Sequence, residues 1–468
     1  MAFFWQGNIR FSAEDWKETI WYTLNVEGNR RFEGIDRLEV PMKLEKIRLQ
    51  NFRSFTDQEF SFLDENDQVK PFTVLVGDNG VGKTAVLEGI VRGAAPIIKA
   101  LQADAGDKVD ISQLDIQIGR RWASIAIESI IQNRRFQWRN SKRESSMVQD
   151  WPGSPAATQR EVKDFLSETF FSDQPIQQVP LVLYYSIARV GIDVPMRSRN
   201  PREMSPLKAL THCLDLKSDF RRFFEWFKGE EEDELRMQRD LGRPYRSRAL
   251  TAVRTAIARM MNHNYRDVRI RSNPIRMVLL DDQNRELQVE QLSGGYKVVF
   301  SMIADIAGRL AQANPQLADP LAGEALVLID ELDLHLHPKW QKRIVRDLRE
   351  TFPNCQFIVS THSASIVQSL NADQLINLEE LGRERTGAFK GWSLSEIQEF
   401  EMGVEYSKTE EYERIKEEFE EAVSDENGER AKELYRQIQK MVHPNSELLE
   451  LFQFRLIGIG VAIDDLFE

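Results

Sequence analysis

The chain has 468 residues and a formal net charge of −12, with 74 acidic side chains against 62 basic ones. At roughly 150 residues per domain the length allows about three domains, or two with an insertion, and 41% hydrophobic against 29% charged residues is ample material for a core. The acidic balance is the reverse of a general polyanion binder's, so any nucleic-acid contact must use a local patch; the two cysteines (Cys213 and Cys355) exclude a disulfide-built scaffold, and no apolar run approaches the ~20 residues needed to span a bilayer.

Residues 1–41 are polar and aromatic-rich, with Trp5, Trp16, Trp21 and Tyr22. Ser12 with Asp15 predicts a capping box for a short helix through Leu24, and no signal-peptide h-region precedes it. These features read as a soluble cytoplasmic protein. From Met42, MKLEKIRLQNFRSF alternates apolar residues at Leu44, Ile47 and Leu49, then breaks at Asn51, which predicts a strand leaving an edge. TVLVGDNGVGKTAVLEGIVRG predicts a buried strand, a Gly-rich turn and a helix. SIAIESII and RRFQWRN are strand candidates suited to pairing. Residues 140–180 are polar and Pro-bearing and predict a loop or small insertion; PLVLYYSI predicts a buried strand.

Helical patterns dominate 205–265, including SRALTAVRTAIARMM. RMVLLDDQNRELQVEQLS predicts a hairpin that turns at Asp-Gln-Asn. ALVLIDEL and CQFIVSTHS are short apolar strands separated by a helix, WQKRIVRDLRETF, an alternation that predicts a parallel sheet. In the tail, Tyr412, Ile415, Phe419 and Val423 share one helical face, and Leu434, Ile438 and Met441 another. SDENGE between them predicts a helical hairpin. There are no internal repeats and no sustained heptads.

Gly77-Asp78-Asn79-Gly80-Val81-Gly82-Lys83-Thr84 fits G-x-x-x-x-G-K-[ST] in full, after an apolar strand and before a helix. Glycines in such a loop let backbone N–H groups cradle phosphate oxygens, and the helix N-terminus adds partial positive charge. Lys83 is expected to reach the β- and γ-phosphates of ATP, and the Thr84 hydroxyl to ligate Mg²⁺. Asp330 ends a buried strand and suits a Mg²⁺-water contact beside Thr84; Glu331 is then placed to polarise the attacking water. Leu292-Ser293-Gly294-Gly295-Tyr296-Lys297 precedes a long helical pattern and supplies a second anion-binding helix end.

With these motifs in this order, the chain resembles the ABC-type ATPases. LSGG is their signature, and the signature of one subunit caps the γ-phosphate held by the loop of another. The resemblance implies an α/β fold: an ABC-type P-loop ATPase head with a mixed sheet core, an inserted helical lobe and a C-terminal helical region. It makes Ser293, Gly294 and Gly295 nucleotide contacts in trans, His362 of Ser360-Thr361-His362-Ser363 a switch histidine, and at least a homodimer the working unit. Leu334-His335-Leu336-His337-Pro338 stands where that family has its D-loop; a metal reading of its two histidines lacks a third ligand. Gln113 is the candidate for the glutamine that helps to hold Mg²⁺, with Gln117 as rival.

NFRSF in the first strand, and IDELDLHLHPKWQ, resemble the RecF, SMC and OLD branch more than transporters. PLVLYYSIAR resembles a strand of the same group, which makes Tyr185 and Arg189 candidates for the site lining. No TOPRIM Asp-x-Asp or HNH set follows His362; Asp464-Asp465 and His443 are the nearest residues. The tail, WSLSEIQEFEMGVEYSKTEEYERIKEEFEEAV and the helix after it, resembles the C-terminal helical region of stand-alone anti-phage defence ATPases. The Septu type partners an HNH nuclease, and the PARIS ATPase partners a TOPRIM nuclease. This implies a regulatory ATPase whose nuclease is a separate chain; the alternative is a RecF-like repair ATPase acting on DNA directly. Arg134-Arg135-Phe136-Gln137-Trp138-Arg139 with Lys142-Arg143 mixes basic and aromatic character as a nucleic-acid surface does. Its plainer reading is a hairpin strand with inward aromatics, so DNA contact is expected to be weak or indirect. The boundaries follow: 1–41 extension, 42–200 first part of the head, 201–270 helical lobe, 271–400 second part of the head, 401–468 C-terminal helices. Met42 lies where such chains usually begin, so 1–41 reads as a real extension or an upstream start, and its aromatics favour packing.

Overall fold

The computed structural model describes residues 42–101, 109–148, 150–170, 179–187, 205–215, 220–261, 263–383, 385, 387–404, 409–443 and 446–462. The leader and its proposed capping box, Arg189 and Asp464-Asp465 lie outside the described residues.

The centre is a five-stranded parallel sheet in the order β12 (Leu375–Asn377), β3 (Phe72–Val76), β11 (Gln356–Ser360), β10 (Ala325–Ile329) and β6 (Leu181–Tyr185). β3, β6, β10 and β11 are buried at every residue. A sheet covered on both faces has no outward polar positions, which is why these strands read as unbroken apolar runs. The second sheet is antiparallel, in the order β2 (Phe55–Ser61), β1 (Met42–Phe52), β4 (Trp122–Ile131) and β5 (Arg134–Arg143). The third is an antiparallel β7 (Asp267–Ser272), β8 (Ile275–Leu280) and β9 (Glu286–Gln288). The mixture expected of the core is thus between sheets and not within one. β1 is an inner strand, paired on both sides, and not an edge strand; Asn51 and Arg53 carry the positive φ values (50° and 51°) that turn it into β2.

Helix α1 (Lys83–Ala100) packs on both of the larger sheets and is buried along nearly its whole length. Two of its glycines make this possible. A Cβ on Gly89 would lie 2.8 Å from Leu49, and one on Gly93 would lie 2.7 Å from Ile127. The sheets are also tied directly, since the Gln356 side-chain amide donates to the Leu44 carbonyl (2.9 Å) and accepts from the Leu44 N–H (2.8 Å).

α2 (Pro155–Phe170) forms where a loop was expected; Gln159, Val162, Leu166 and Phe170 make its buried stripe against β5. α3 (Phe220–Leu241) and α4 (Arg248–Met260) follow, then the third sheet and α5 (Gly294–Ala313). The helix expected over WQKRIVRDLRETF is two pieces, α6 (Pro338–Gln341) and α7 (Ile344–Thr351). After α8 (Ala364–Val367) and α9 (Leu394–Met402) come α10 (Glu410–Ser424), α11 (Gly428–Met441) and α12 (Glu447–Gly458), which share a separate apolar cluster built on Phe419, Tyr435 and Phe452. α10 and α11 are the two arms of the expected hairpin.

A buried ion network holds the β1–β2 turn to α1. Asp115 accepts from Arg53 Nε (2.9 Å), Arg92 Nε (3.0 Å) and the Ser112 N–H (2.9 Å), while Glu88 takes Arg53 (2.5 Å) and Arg92 (2.7 Å). Burial alone would raise the Asp115 pKa. The Ser112 hydrogen bonds and the two guanidinium groups outweigh it and bring it below the usual aspartate value. A depressed carboxylate contributes stability above its unfolded pKa and loses it as pH falls through the folded value. Asp115→Asn is expected to cost about 3 kcal/mol near neutral pH, because it removes one partner of a buried network. The difference from the wild type, measured by denaturant unfolding, should narrow below about pH 3.9. A difference that stays constant into acid would disprove the assignment.

Candidate functional site

The C-terminal ends of β3, β10 and β11 lie side by side, and the loops that leave them build the site. After β3, the loop needs left-handed glycines: Gly77 (φ 138°), Gly80 (φ 85°) and Gly82 (φ 116°). Gly82 also has no room for a side chain, since a Cβ there would lie 2.7 Å from Phe55 and 2.8 Å from the Ser54 hydroxyl. The loop ends at the N-terminus of α1, whose first turn carries no acidic residue. Lys83 lies under the loop and donates to the carbonyls of Gly77 (2.8 Å) and Asp78 (3.0 Å). Burial lowers its pKa, and Glu331 and Asp330 oppose that shift. A buried ammonium whose only hydrogen bonds to the loop are carbonyl contacts, beside three glycines of positive φ at a helix N-terminus, fits the charge of a nucleotide polyphosphate.

Thr84, the next residue, donates its hydroxyl to Asp330 Oδ2 at 2.9 Å. This bond joins the phosphate loop to the acid pair across 246 residues of sequence. The other oxygen of Asp330 accepts from the Ser360 hydroxyl at 2.6 Å, and that hydroxyl accepts from the Glu331 N–H at 2.8 Å. Glu331 itself takes a left-handed conformation (φ 48°), so the chain turns sharply straight after Asp330. Asp330 and Thr84 offer oxygen ligands of the kind Mg²⁺ takes.

Asp333 was not singled out by sequence. Its carboxylate accepts from the Thr361 hydroxyl (2.5 Å) and the His362 N–H (3.1 Å) and so fixes the switch loop, leaving the His362 ring exposed. No pattern in IDELD marks the third acid as distinct from the first two.

Ser293 caps α5 in extended conformation, yet its side chain makes no capping hydrogen bond. Ser293 and Gly294 are exposed, and the first turn of α5 carries no acidic residue. Gly295 backs onto the 334–338 loop, where a Cβ would collide with the His335 carbonyl. Tyr296 and Trp340 pack edge to face with ring centroids 5.0 Å apart. The signature and the 334–338 loop of one chain are therefore one packed unit. His337 caps α6 through its ring nitrogen, and among the described residues no cluster of three or more His, Cys, Asp or Glu is placed to hold a metal ion.

The two glutamines differ in their surroundings. Gln113 is exposed and donates to the Glu144 carbonyl (3.4 Å). Gln117 accepts from the Thr56 hydroxyl (3.2 Å) and donates to the carbonyl of Ser54, the residue that abuts Gly82 (3.4 Å). Tyr185 does not line this site; its hydroxyl donates to Asp305 on α5 (2.8 Å) in a cluster closed by Arg309. Its neighbour Tyr184 points the other way, buried and without a hydrogen-bond partner, and burial followed by the charges of Asp330 and Glu88 raises its pKa. In the 134–143 strand the aromatics do turn inward: Phe136 and Trp138 are buried, Arg135 is bidentate to Glu45 (2.6 Å) and Arg134 pairs with Glu161 (2.6 Å).

Two glycines of the signature should respond differently to alanine. Gly294→Ala meets open space and should leave the melting temperature nearly unchanged. Gly295→Ala must displace the His335 backbone and should cost about 1–3 kcal/mol, as overpacking does. Equal melting temperatures for the two variants would show that the contact with the 334–338 loop is not tight.

The family model for the RecF/RecN/SMC N terminal domain matches residues 43–384. The retron Ec83 probable ATPase of Escherichia coli is 28% identical over 420 residues, covering 76% of each chain. The retron Vc95 probable ATPase of Vibrio cholerae serotype O1 biovar El Tor is 26% identical over 393 residues, 72% of this chain and 74% of that one. The Septu protein PtuA of Bacillus thuringiensis is 31% identical over 201 residues, 40% of this chain and 50% of its own. Among solved structures, an SMC head bound to the C-winged helix domain of ScpA aligns over 72% of this chain and 94% of that one, at 16% identity and a TM-score of 0.39. With its family model matched over well more than half its length, the chain belongs to the RecF/RecN/SMC N-terminal domain family.

Proposed function

We propose that this protein is an ATP-hydrolysing ABC-type subunit of a bacterial anti-phage defence complex, in which it controls a nuclease carried on a separate chain. The observation that carries the ATPase half is the Thr84–Asp330 hydrogen bond, which brings the phosphate loop and the acid pair together at one point. The defence half rests on the relatives, which include retron ATPases and Septu proteins.

In this reading the N–H groups of 77–84 and Lys83 hold the polyphosphate, and the Lys83 ammonium leaves its loop carbonyls to do so. Thr84 and Asp330 would hold Mg²⁺, which would supply neutralising charge to the phosphate oxygens. Gln117 is favoured over Gln113 for a further contact to that ion, because its hydrogen bonds tie it to Ser54 beside Gly82. Glu331 orients and deprotonates the attacking water, and Ser360 fixes its backbone. His362, held through its backbone by Asp333, supplies a donor to the γ-phosphate. The exposed N-terminus of α5, with Ser293, Gly294 and Gly295, serves the nucleotide of a second copy. Catalysis is then mostly positioning and charge stabilisation in a site assembled by dimer closure. ATP acts as a conformational switch as much as a fuel. Among the described residues no helix is long and apolar enough to cross a membrane.

Glu331→Gln should leave nucleotide binding intact, lower turnover by at least about 10²-fold, as loss of a general base does, and accumulate an ATP-bound dimer in native mass spectrometry. Unaltered hydrolysis would remove Glu331 from the role. Native mass spectrometry of the wild type expressed with its genomic neighbours tests the partner. A complex with a nuclease chain is expected, and a lone dimer would shift the reading to an ATPase that acts on DNA directly.

A further inference from the structure

In the basic stretch that stands out in the sequence, on β5, Arg134 and Arg135 are taken by Glu161 and Glu45, and Arg139 and Arg143 donate to backbone carbonyls, but another basic surface is assembled from residues that the sequence scatters. Residues 243–285 hold ten arginines and no lysine, against three aspartates, in a chain of net charge −12. Like charges repel, so such a concentration costs stability unless something offsets it.

Two parts of this stretch converge. Arg246, from the loop between α3 and α4, meets Arg266 and Arg269, from the start of the third sheet, around a cavity of about 200 Å³ that Asp267 also lines. On the sheet, Arg271 pairs directly with Arg276 across β7 and β8, so both side chains share the face that also carries Arg269. The acids on this face are engaged. Asp267 is held by the buried Arg254 (2.9 Å) and by Arg269 (2.9 Å), and Glu286 is taken by Arg271. Several cations remain in excess. Arg246 has no hydrogen-bond or ion-pair partner among the described residues, and Arg276 Nε is buried without one.

We infer that this face, from the Arg246–Arg266–Arg269 cavity to Arg271 and Arg276, binds the phosphodiester backbone of a nucleic acid. Guanidinium groups match phosphate oxygens bidentately, and the absence of lysine suits that geometry. A protein partner would be expected to find an apolar centre here. Among the described residues, no large hydrophobic between 243 and 290 is strongly exposed. A charged, polar face without an apolar centre is the character of a nucleic-acid interface. The surface reads backbone and not sequence, because backbone contacts carry no base information.

The test is fluorescence anisotropy of the full chain with a ~30-base-pair duplex and with a single strand of equal length, over salt from about 50 to about 200 mM. The wild type should bind one or both, and more weakly as salt rises. Arg246→Gln with Arg269→Gln should weaken binding at least tenfold and reduce the log–log salt slope by about two on the duplex, one per lost phosphate contact. Neither side chain anchors the core, and a thermal melt together with unchanged ATP turnover checks that the variant is folded. Arg134→Gln on β5 should change nothing. Absence of binding at about 50 mM salt would overturn the inference. So would equal binding by the double variant, or displacement of the duplex by polyglutamate as effectively as by unlabelled duplex. Hydrolysis that persists while nucleic-acid binding fails leaves the ATPase reading standing, and the reverse result leaves this one.

Discussion

A single buried carboxylate organises the nucleotide site. Asp330 is almost fully enclosed, and an enclosed carboxylate is tolerated only when its oxygens are hydrogen-bonded. One oxygen takes the Thr84 hydroxyl and the other the Ser360 hydroxyl, so three chain segments, each leaving the same edge of one parallel sheet, are fixed at one point. Parallel strands deliver their C-terminal ends to a common edge, and that edge is where α/β proteins place their ligands. The tertiary demand and the local motifs agree: the glycine loop needs a strand before it and a helix after it, and the acid pair needs a strand that ends beside that loop. Neither motif would work as a free segment.

The rest of the head can be understood as support for that edge. α1 carries the phosphate loop at its start and is pressed between two sheets, with Gly89 and Gly93 allowing contact closer than any side chain would permit. Because the helix is packed all round, the loop at its N-terminus has little freedom to drift. The Asp115 network extends the same rigidity to the β1–β2 turn, whose Ser54 and Phe55 form the wall behind Gly82. Gln356 makes the junction of the sheets polar but paired, its amide bonding both the N–H and the carbonyl of Leu44. The NFRSF element thus matters for shape before chemistry: Asn51 and Arg53 take left-handed conformations, and the turn they make is the one that abuts the phosphate loop.

What the sequence discloses here depends on how local each signal is. The phosphate loop, the acid pair, LSGG and the switch loop are short, and their residue types follow from backbone geometry within a few positions. The buried strands are legible because both faces are covered. Failures come where the signal is diffuse or distant. α2 has only a narrow stripe of Val162, Leu166 and Phe170 in a polar stretch that opens on proline. α12 falls inside the expected C-terminal helical region, but it is apolar on all sides, with Leu449, Phe452 and Leu456 buried and Leu451 and Phe454 exposed, so no period sets its bounds. The surroundings of Gln113 and Gln117 cannot be separated from sequence, because they depend on a turn about sixty positions earlier. The arginine surface is invisible to a windowed reading, since its members come from one loop and two strands, while the contiguous run on β5 looks stronger and has its four arginines engaged within the chain.

The two helix ends proposed to bind phosphate are in opposite states, and that asymmetry bears on how the proposed switch would work. At the phosphate loop, Lys83 is already satisfied by carbonyls, so a nucleotide must displace two existing hydrogen bonds and gains through charge more than through new contacts. At the start of α5, the first-turn N–H groups lack a side-chain cap and face solvent. Association of two copies through nucleotide would therefore gain most at the signature end, where nothing has to be broken. That end is not a free tip. Gly295 rests on the His335 carbonyl, in the loop that follows Glu331 by a few residues, and Tyr296 on Trp340 of α6 just beyond it. A phosphate drawn to Ser293 of one chain would thus press on the backbone next to that chain's own acid pair. The state of one site would reach the other through packed atoms and not through a flexible hinge, the property required of a switch with two composite sites.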